Sequence, residues 1–432
     1  MTPDPALQDR LAERFLRYSA VTSQSDASCT CVPSTPGQRE LAELLAEELR
    51  EACARDVHIS ETSVLTARIP ARLPQGHASV PAVGFCVHLD TVDVNLSPEV
   101  RARVVSFDGD DICLNEELDL WLRPKEHPEL TAYTGDRLLV TDGTSVLGAD
   151  DKAGIASVME AAITLLADDT TQHGDVYLAI VPDEEIGLRG VRTLELSRFP
   201  VTYAWTIDSC EVGEAVWQTF NAASATVQIQ GVTAHPMSAK GVLVNPVMVA
   251  HDLVALLDRE HTPEHTDGTD GYIWVTDVDA NPATATLELN IREHDRHRFE
   301  QHKRSLRSAV EHVRQIHPAA VVELEINDVY GNIDDAVTDD NRAAIDLMLT
   351  AMEELGITPK PLAMRGGTDG SWLSTQGILT PNFFTGAHNF HSIHEFLPLR
   401  SFELSHRMVL ELISPGAARR DHSQTTPSPS RS

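Results

Sequence analysis

The stretch DVYLAIVPDEEIG, residues 175–187, joins a short apolar run to three successive acidic residues. A continuous apolar run of this length is typical of a parallel strand that is covered on both faces. Further strands are predicted at Val80–Val87 and Val201–Ile207. Apolar residues at helical spacing predict helices at Leu7–Tyr18, Gln38–Cys53 and Lys152–Leu166. Helices that alternate with buried strands in this way predict an α/β layer fold.

The order of elements changes between Ala223 and Tyr330. Strands are predicted there at Ser224–Gly231, Tyr272–Asp277, Ala285–Ile291 and Val321–Ile326, and helices at Asn245–Leu257 and Arg296–Ile316. This β-α-β-β-α-β order is the split βαβ, ferredoxin-like unit. Because α/β features resume at Asn341–Leu355 and Ile378–Phe384, we expect this α+β unit to be inserted into the first domain. The predicted boundaries are 1–220 and 332–414 for the α/β domain, 221–331 for the insert and 415–432 for a disordered tail.

The composition of the chain excludes several classes of protein. The 432 residues include 34 Lys and Arg against 65 Asp and Glu, so the formal charge is 34 − 65 = −31. Such an acidic chain opposes binding to nucleic acid and to anionic membrane surfaces. The first 19 residues contain no apolar core of a secretory signal, and no apolar run is long enough to span a bilayer. We therefore expect a soluble, cytoplasmic protein with reduced cysteines, in which Cys29 and Cys31 are incidental loop thiols.

Acidic and imidazole side chains follow several of the predicted strands. They include His88 and Asp90 in HLDTVD, Asp183, Glu184 and Glu185 in PDEEIG, and Asp208. In open α/β sheets the ligand crevice lies outside the carboxyl ends of the strands, so these groups should converge. Two more groups are Asp150 and Asp151 in GADDKAG, and His388, His391, His394 and Glu395 in HNFHSIHEF.

So many carboxylates in one crevice cannot all stay ionised unless cations are present, so either protons or metal ions must neutralise them. Imidazoles mixed with carboxylates suit zinc, or failing that cobalt or manganese. Each motif also has an ordinary explanation. An HxD motif can be a surface or capping feature, and DEE can be a solvated turn. Paired aspartates can favour a helix N-terminus electrostatically, and HSIHE can be an exposed polar loop. Their joint placement at strand ends favours a metal site.

The motifs TDGTSVLGADDKAGIA, PDEEIG, FNAAS, AKGV, RGGTDG and HEF together carry a resemblance. From about Leu11 to Leu412 the sequence resembles the dinuclear-zinc peptidase family, which also includes carboxypeptidase G, aminoacylase and succinyl-diaminopimelate desuccinylase. Within that family it is similar to the tripeptide aminopeptidases of the peptidase T group. The resemblance implies a mixed, mostly parallel sheet flanked by helices, and an inserted domain that acts as a lid.

The resemblance also implies a ligand set for two zinc ions per subunit, with Co²⁺ or Mn²⁺ as possible substitutes. His88, Asp150 and Asp208 would hold one ion, Asp150 would bridge, and Glu185 and His391 would complete the second. A cis peptide is implied after the bridging aspartate. The alternative that stays open is that His394, and not His391, is the ligand. Glu184 is the implied general base, and Asp90 lies two residues beyond His88, where its carboxylate can fix the ring tautomer.

The implied reaction is removal of the N-terminal residue from a tripeptide through a metal-bridging water. His235 in TAHPMSAKG resembles the family histidine that stabilises the oxyanion, although a structural role is equally open. Arg365 with Gly366 and Gly367 resembles a clamp for the substrate carboxylate. Arg292 and Asn245 are further candidates that could instead be surface or lid-packing residues, and Asp369 could bind an ammonium or cap a turn.

Other functions stay open at this point. The nearest is an N-acyl amino-acid amidohydrolase or a dipeptidase or carboxypeptidase of the same family, and one from another class is a non-catalytic, acidic metal-binding protein. The expected partners are short peptides and, through the inserted domain, a second copy of the chain.

Overall fold

The computed structural model describes residues 2–73 and 80–414. Within this part of the chain the helices are α1 Pro5–Ser19, α2 Pro36–Glu51, α3 Ala149–Ala167, α4 Pro246–Ala255, α5 Arg296–Ile316, α6 Ala343–Glu354, α7 Asp369–Thr375 and α8 Leu399–Ile413. The strands are β1 Arg55–Ile59, β2 Leu65–Ile69, β3 Val83–His88, β4 Arg103–Ser106, β5 Ile112–Asn115, β6 Leu120–Leu122, β7 Arg137–Val140, β8 Val176–Val181, β9 Tyr203–Ser209, β10 Glu214–Gln218, β11 Asn221–Gln230, β12 Tyr272–Ala280, β13 Thr284–Glu293, β14 Val321–Tyr330, β15 Lys360–Ala363, β16 Asn382–Phe384 and β17 Phe396–Pro398.

The largest sheet has eight strands in the order β1-β2-β8-β3-β9-β16-β10-β15. Its four middle strands, β8, β3, β9 and β16, run parallel, whereas β2 pairs with β8 and β10 pairs with β16 in the antiparallel sense. Every residue of β3 is buried, as expected for a parallel strand covered on both faces. The carboxyl ends of the four parallel strands therefore meet at one edge of the sheet.

The helix α3 packs against β3 and β9 and is covered by α1 and α8. It is buried on nearly every side, which suits a helix in the middle of a large core. Gly154 is required near the start of the helix, because a Cβ there would lie 2.1 Å from Asp151 Oδ1. The glycine thus lets the Asp151 carboxylate lie against the helix backbone.

The remaining strands of this region form two small sheets, β17-β7-β4 and β5-β6. They enclose a separate apolar cluster that includes Phe107, Leu122, Leu138 and Phe396. The segment that follows β7 leads directly into α3.

The second sheet is antiparallel, with the order β12-β13-β11-β14. Along β13 buried residues alternate with partly exposed ones, as in a sheet with one covered face. The helices α4 and α5 cover that face, and α5 contributes Phe299, Leu306, Val310 and Val313 to the core. The predicted fold class, an α/β fold with a mixed sheet and an inserted ferredoxin-like unit, is confirmed.

The chain divides into two compact units. The first comprises the described residues of Met1–Trp217, Val337–Leu362 and Thr368–Ser432, and the second comprises Gln218–Ala336 and Ala363–Gly367. The short segment Ala363–Gly367 joins the second unit because Arg365 donates to Gly268 O, Asp270 O and Thr266 Oγ1. The domain boundaries given above stay a prediction, and the predicted tail, 415–432, lies outside the described residues.

Two further expectations concern the membrane and the cysteines. Among the described helices, none combines the length and the apolar character that crossing a membrane requires. The expectation that Cys29 and Cys31 are free thiols is wrong, because the two residues form a disulfide with Cα atoms 5.5 Å apart. A separation of two residues allows a purely local bridge of normal Cα spacing, which needs no second pair of cysteines elsewhere in the chain.

Candidate metal centre

The residues of the candidate site lie at the sheet edge where the parallel strands end. His88 is the last residue of β3, Asp208 lies near the end of β9, and Glu184 and Glu185 follow β8. Asp150 lies in the first turn of α3. His391 belongs to the loop between β16 and β17, so all of these residues are in the first unit.

Asp150 lies between two imidazoles. His88 Nε2 is 2.8 Å from Asp150 Oδ1, and His391 Nε2 is 3.1 Å from Asp150 Oδ2. His391 Nε2 is also 3.0 Å from Glu185 Oε1. The carboxylate thus offers one oxygen to each ring, which is the arrangement that a ligand shared by two metal ions needs.

Two groups of side chains in the described chain bring their donor atoms within 4.8 Å of one another. One consists of His88, Asp150 and Glu185, and the other of His88, Glu184 and Asp208. His88 belongs to both groups. The geometry thereby gathers the five implied ligands and the implied base around one centre, and it also leaves Glu184 within reach of a metal bound near Asp208.

Burial and crowding shift the proton affinities of the acidic groups. Burial, followed by the charge of Asp208, raises the pKa of Glu184 well above its usual value. Burial, followed by the charge of Asp150, likewise raises the pKa of Asp208 and that of Glu185. These carboxylates are therefore costly to ionise together.

The pKa values of the two imidazoles are also raised, which for these groups favours the charged form. Burial lowers the pKa of His391, but hydrogen bonds to Asp150 and Glu185 outweigh it and raise the pKa to about 11. Hydrogen bonds to Asp150 and Asp90 outweigh burial at His88 in the same way, and its pKa rises. The centre favours positive charge, and its nitrogen and oxygen donors fit divalent metal ions of the zinc type.

Asp90 connects His88 to the loop that carries the implied base. His88 Nδ1 lies 3.1 Å from the Asp90 carbonyl oxygen and 3.3 Å from Asp90 Oδ1. The backbone N–H groups of Glu184 and Glu185 donate to Asp90 Oδ1 and Oδ2 at 3.0 and 3.1 Å. One fully buried carboxylate therefore orients both the ring and the acidic loop.

We expect the substitution Asp90→Asn to weaken metal binding by about 10- to 100-fold, the usual effect of removing a partner of a ligating histidine. The amide leaves only one oxygen for the two loop N–H groups. Calorimetric titration with Zn²⁺ measures the effect, with Asp142→Asn as the control, since Asp142 accepts local bonds from Thr144. Equal affinities in the two variants would argue against an orienting role.

The two aspartates at the start of α3 point to different partners. The peptide bond between Asp150 and Asp151 is cis. Asp151 accepts hydrogen bonds from the backbone N–H groups of His88 at 3.2 Å and Gly154 at 3.1 Å. Asp150 faces the imidazoles, whereas Asp151 faces the backbone.

The three histidines of the 388–394 segment also have different neighbours. His391 lies among the carboxylates, whereas His388 Nε2 lies 2.7 Å from Tyr133 Oη. The His394 ring lies 4.6 Å from that of His127. Of the three rings, His391 is the one that contacts Asp150 and Glu185.

Asp183, which precedes Glu184, is held by two residues that the motifs of the sequence did not indicate. Asp183 accepts hydrogen bonds from Ser34 N at 2.8 Å, Ser34 Oγ at 2.5 Å and Gln38 Nε2 at 2.7 Å. Ser34 and Gln38 are 149 and 145 positions away along the chain. The one available signal was a glutamine on the inner face of α2 beside apolar residues.

Asp369 begins α7 in the first unit and is buried. The turn is capped by Thr368, whose side chain accepts a hydrogen bond from Gly370 N. Burial raises the pKa of Asp369 to about 7. Of the two roles considered for Asp369, the cap therefore belongs to its neighbour.

The candidates for substrate binding lie in the second unit. His235 is exposed, and its Nδ1 accepts a hydrogen bond from Met237 N at 3.2 Å. Asn245 is the N-cap of α4 and accepts from Val247 N at 3.1 Å. In this conformation both side chains make local contacts.

The arginine candidates are held within the same unit. Arg365 lies over the rings of Phe220 and Tyr272 and donates to the loop noted above. Arg292 donates to Ala223 O at 3.1 Å and lies over the Tyr330 ring.

The two glycines next to Arg365 differ in their surroundings. A Cβ at Gly367 would lie 2.4 Å from the Tyr330 ring, whereas Gly366 has only Met364 nearby, at 3.9 Å. The substrate-binding roles of Gly366 and Gly367, like those of His235, Asn245, Arg292 and Arg365, stay predictions.

Known proteins resemble this chain along nearly its whole length. A peptidase T-like protein of Yersinia pestis is 51% identical over 404 residues, which cover 94% of this chain and 97% of that protein. Peptidase T of Fusobacterium nucleatum is 37% identical over 412 residues, covering 95% and 98%. The crystal structure of a tripeptidase from Staphylococcus aureus matches with a TM-score of 0.73 at 21% identity, covering 95% of this chain and 99% of that one. At that identity the structural match demonstrates the shared fold.

The family model described as peptidase family M20/M25/M40 matches residues 145–414, which contain Asp150, Glu184, Glu185, Asp208 and His391. The predicted resemblance to the peptidase T group is confirmed by the relatives. The chain belongs to peptidase family M20/M25/M40.

Proposed function

We propose that this chain is a dizinc aminopeptidase that removes the N-terminal residue from tripeptides. The observation that carries the proposal is the convergence of His88, Asp150 and His391 beside Glu184, a buried carboxylate of raised pKa. The names of the relatives, peptidase T and tripeptidase, support the choice of substrate. The donor set supports zinc, with Co²⁺ or Mn²⁺ as substitutes.

The proposed roles follow from the position of each residue. His88, Asp150 and Asp208 would hold one ion, and Asp150, Glu185 and His391 the other. Divalent ions bound there supply Lewis acidity, which polarises a carbonyl and lowers the pKa of water. Glu184, whose backbone N–H is fixed by Asp90 beside the donor groups, would accept the proton of the attacking water and return it to the leaving amine.

The second unit would supply the groups that bind the ends of the substrate. We assign His235 to the oxyanion, and Arg365 with Gly366 and Gly367 to the C-terminal carboxylate. Arg292 and Asn245 are further contacts. Because Arg365 is engaged by the 266–270 loop, binding would require its hydrogen bonds to be exchanged for bonds to the substrate.

We propose that short peptides are the binding partners of the enzyme and that it is located in the cytoplasm. A homodimer would form through the second unit. The excess of acidic residues opposes nucleic acid and anionic membranes as partners.

Substrate selectivity tests the proposed function. The zinc-loaded protein should release the first residue from free tripeptides and leave N-acetylated tripeptides uncleaved, because an aminopeptidase recognises the free amine. Dipeptides and N-acyl amino acids are assayed beside them, with product identity determined by mass spectrometry. Cleavage of N-acyl amino acids without cleavage of tripeptides would replace the proposal by the amidohydrolase alternative.

A further inference from the structure

Glu395 is a buried carboxylate that contacts three successive backbone N–H groups. Glu395 is only 1% exposed to solvent. Oε2 accepts from Leu147 N at 2.8 Å and from Gly148 N at 3.0 Å, and Oε1 accepts from Ala149 N at 2.8 Å. These are the last three N–H groups before Asp150, so the carboxylate holds the segment from which the bridging ligand projects.

The start of α3 needs such support. The first N–H groups of a helix lack partners within the helix, and a buried start must find them elsewhere. Asp150 and Asp151 have non-helical backbone angles, with φ −82° and ψ 100° at Asp150. Regular helix bonding therefore does not fix Asp150. Its backbone is held on one side by Glu395 and on the other by the contacts of Asp151 with His88 N and Gly154 N.

Glu395 belongs to the same loop as His391. His388 N donates to Phe396 O at 2.9 Å, and Phe396 N donates to His388 O at 3.2 Å, so the two ends of the loop are paired. The loop consequently contributes His391 to the centre directly and controls the position of Asp150 through Glu395. The relative placement of the two ligands depends on one carboxylate, although 241 positions separate His391 from Asp150 along the chain.

We propose that Glu395 is a positioning residue, which sets the affinity and geometry of the metal centre by holding residues 147–149 and thereby the Asp150 carboxylate. This inference rests on the proposed function only in taking Asp150 as the shared metal ligand. A purely structural cap would affect the stability of the fold without affecting the affinity for metal ions. A positioning residue should affect that affinity as well.

The test uses the full chain with three substitutions. Glu395→Gln keeps the size of the side chain but leaves one oxygen for three donors, and Glu395→Asp keeps both oxygens on a shorter arm. Glu403→Gln is the matched control, because Glu403 is 3% exposed and accepts from Asp4 N and Gln8 Nε2 outside the centre. The metal-free proteins are titrated with Co²⁺, by calorimetry for affinity and stoichiometry and by visible absorption for ligand geometry. Thermal unfolding is followed in parallel.

We expect Glu395→Gln to weaken Co²⁺ binding by about 10- to 100-fold, the range found for residues that orient metal ligands. Its cobalt spectrum should change, and Glu395→Asp should recover part of the affinity. Glu403→Gln should lower the unfolding temperature and leave both the affinity and the spectrum unchanged.

Three results would overturn the inference. These are wild-type affinity and spectrum in Glu395→Gln, an equal loss of affinity in Glu403→Gln, or failure of both Glu395 variants to fold, which would make the role purely structural. No peptide is used in the test. A wild-type protein that binds two ions but cleaves no tripeptide would therefore contradict the proposed function and leave the role of Glu395 standing.

Discussion

Replacing Glu184 with glutamine is expected to lower kcat for a tripeptide by about 10²- to 10⁴-fold, the usual contribution of a general base, while two ions stay bound. Glutamine has nearly the same shape but cannot accept the proton. Glu184 is 8% exposed, and its backbone N–H is fixed by Asp90, so the variant should keep the position of the side chain. Steady-state kinetics and metal analysis of the same preparation measure both quantities.

The control for this variant is Glu195→Gln, since Glu195 pairs with Arg198 at the surface. Normal turnover in Glu184→Gln would remove the residue from the mechanism. Loss of one ion would instead make Glu184 a ligand, which its proximity to His88 and Asp208 allows. The two measurements together separate these outcomes.

Replacing Asp150 with asparagine should abolish tight binding of both ions and, with it, peptide cleavage. The carboxamide has one neutral oxygen, whereas the carboxylate offers Oδ1 toward His88 and Oδ2 toward His391. We expect the loss of affinity to exceed the 100-fold or so that follows removal of an orienting partner, because a shared ligand is removed from both ions. Calorimetric titration with Zn²⁺ gives affinity and stoichiometry.

The matched control is Asp151→Asn at the adjacent position. Asp151 is also buried but accepts backbone hydrogen bonds from His88 and Gly154. This variant should retain two ions, with a lower stability of the fold. If Asp151→Asn lost the ions and Asp150→Asn kept them, the assignment of the two aspartates would have to be reversed.

The elements predicted from the sequence are those with strong burial patterns. The strand β8 is buried at five of its six positions, and α5 has a clear apolar face, so their periodicity was visible. The strands β4 and β6 have three or four residues each and are mostly half-buried. The strand β4 is fixed by its pairing with β7, and β6 closes a short hairpin with β5. Neither strand has a burial pattern long enough to be predicted from the sequence.

The residues of the candidate site also differ in how far the sequence alone predicts their position. His88, Glu184 and Asp208 could be placed together because they end neighbouring parallel strands. Asp150 and His391 were assigned through the family resemblance, because neither follows a strand directly. The supports of the site, such as the contact of Gln38 with Asp183 and that of Glu395 with Ala149, join segments 145 and 246 positions apart. Neither contact leaves a local signal in the sequence.

Diffraction from crystals grown with Zn²⁺, recorded at the zinc absorption edge, tests the central claim most directly. The claim predicts two anomalous peaks about 3.5–4 Å apart, with Asp150 between them and His88 and His391 on opposite sides. A single peak, or two peaks that do not share Asp150, would contradict it.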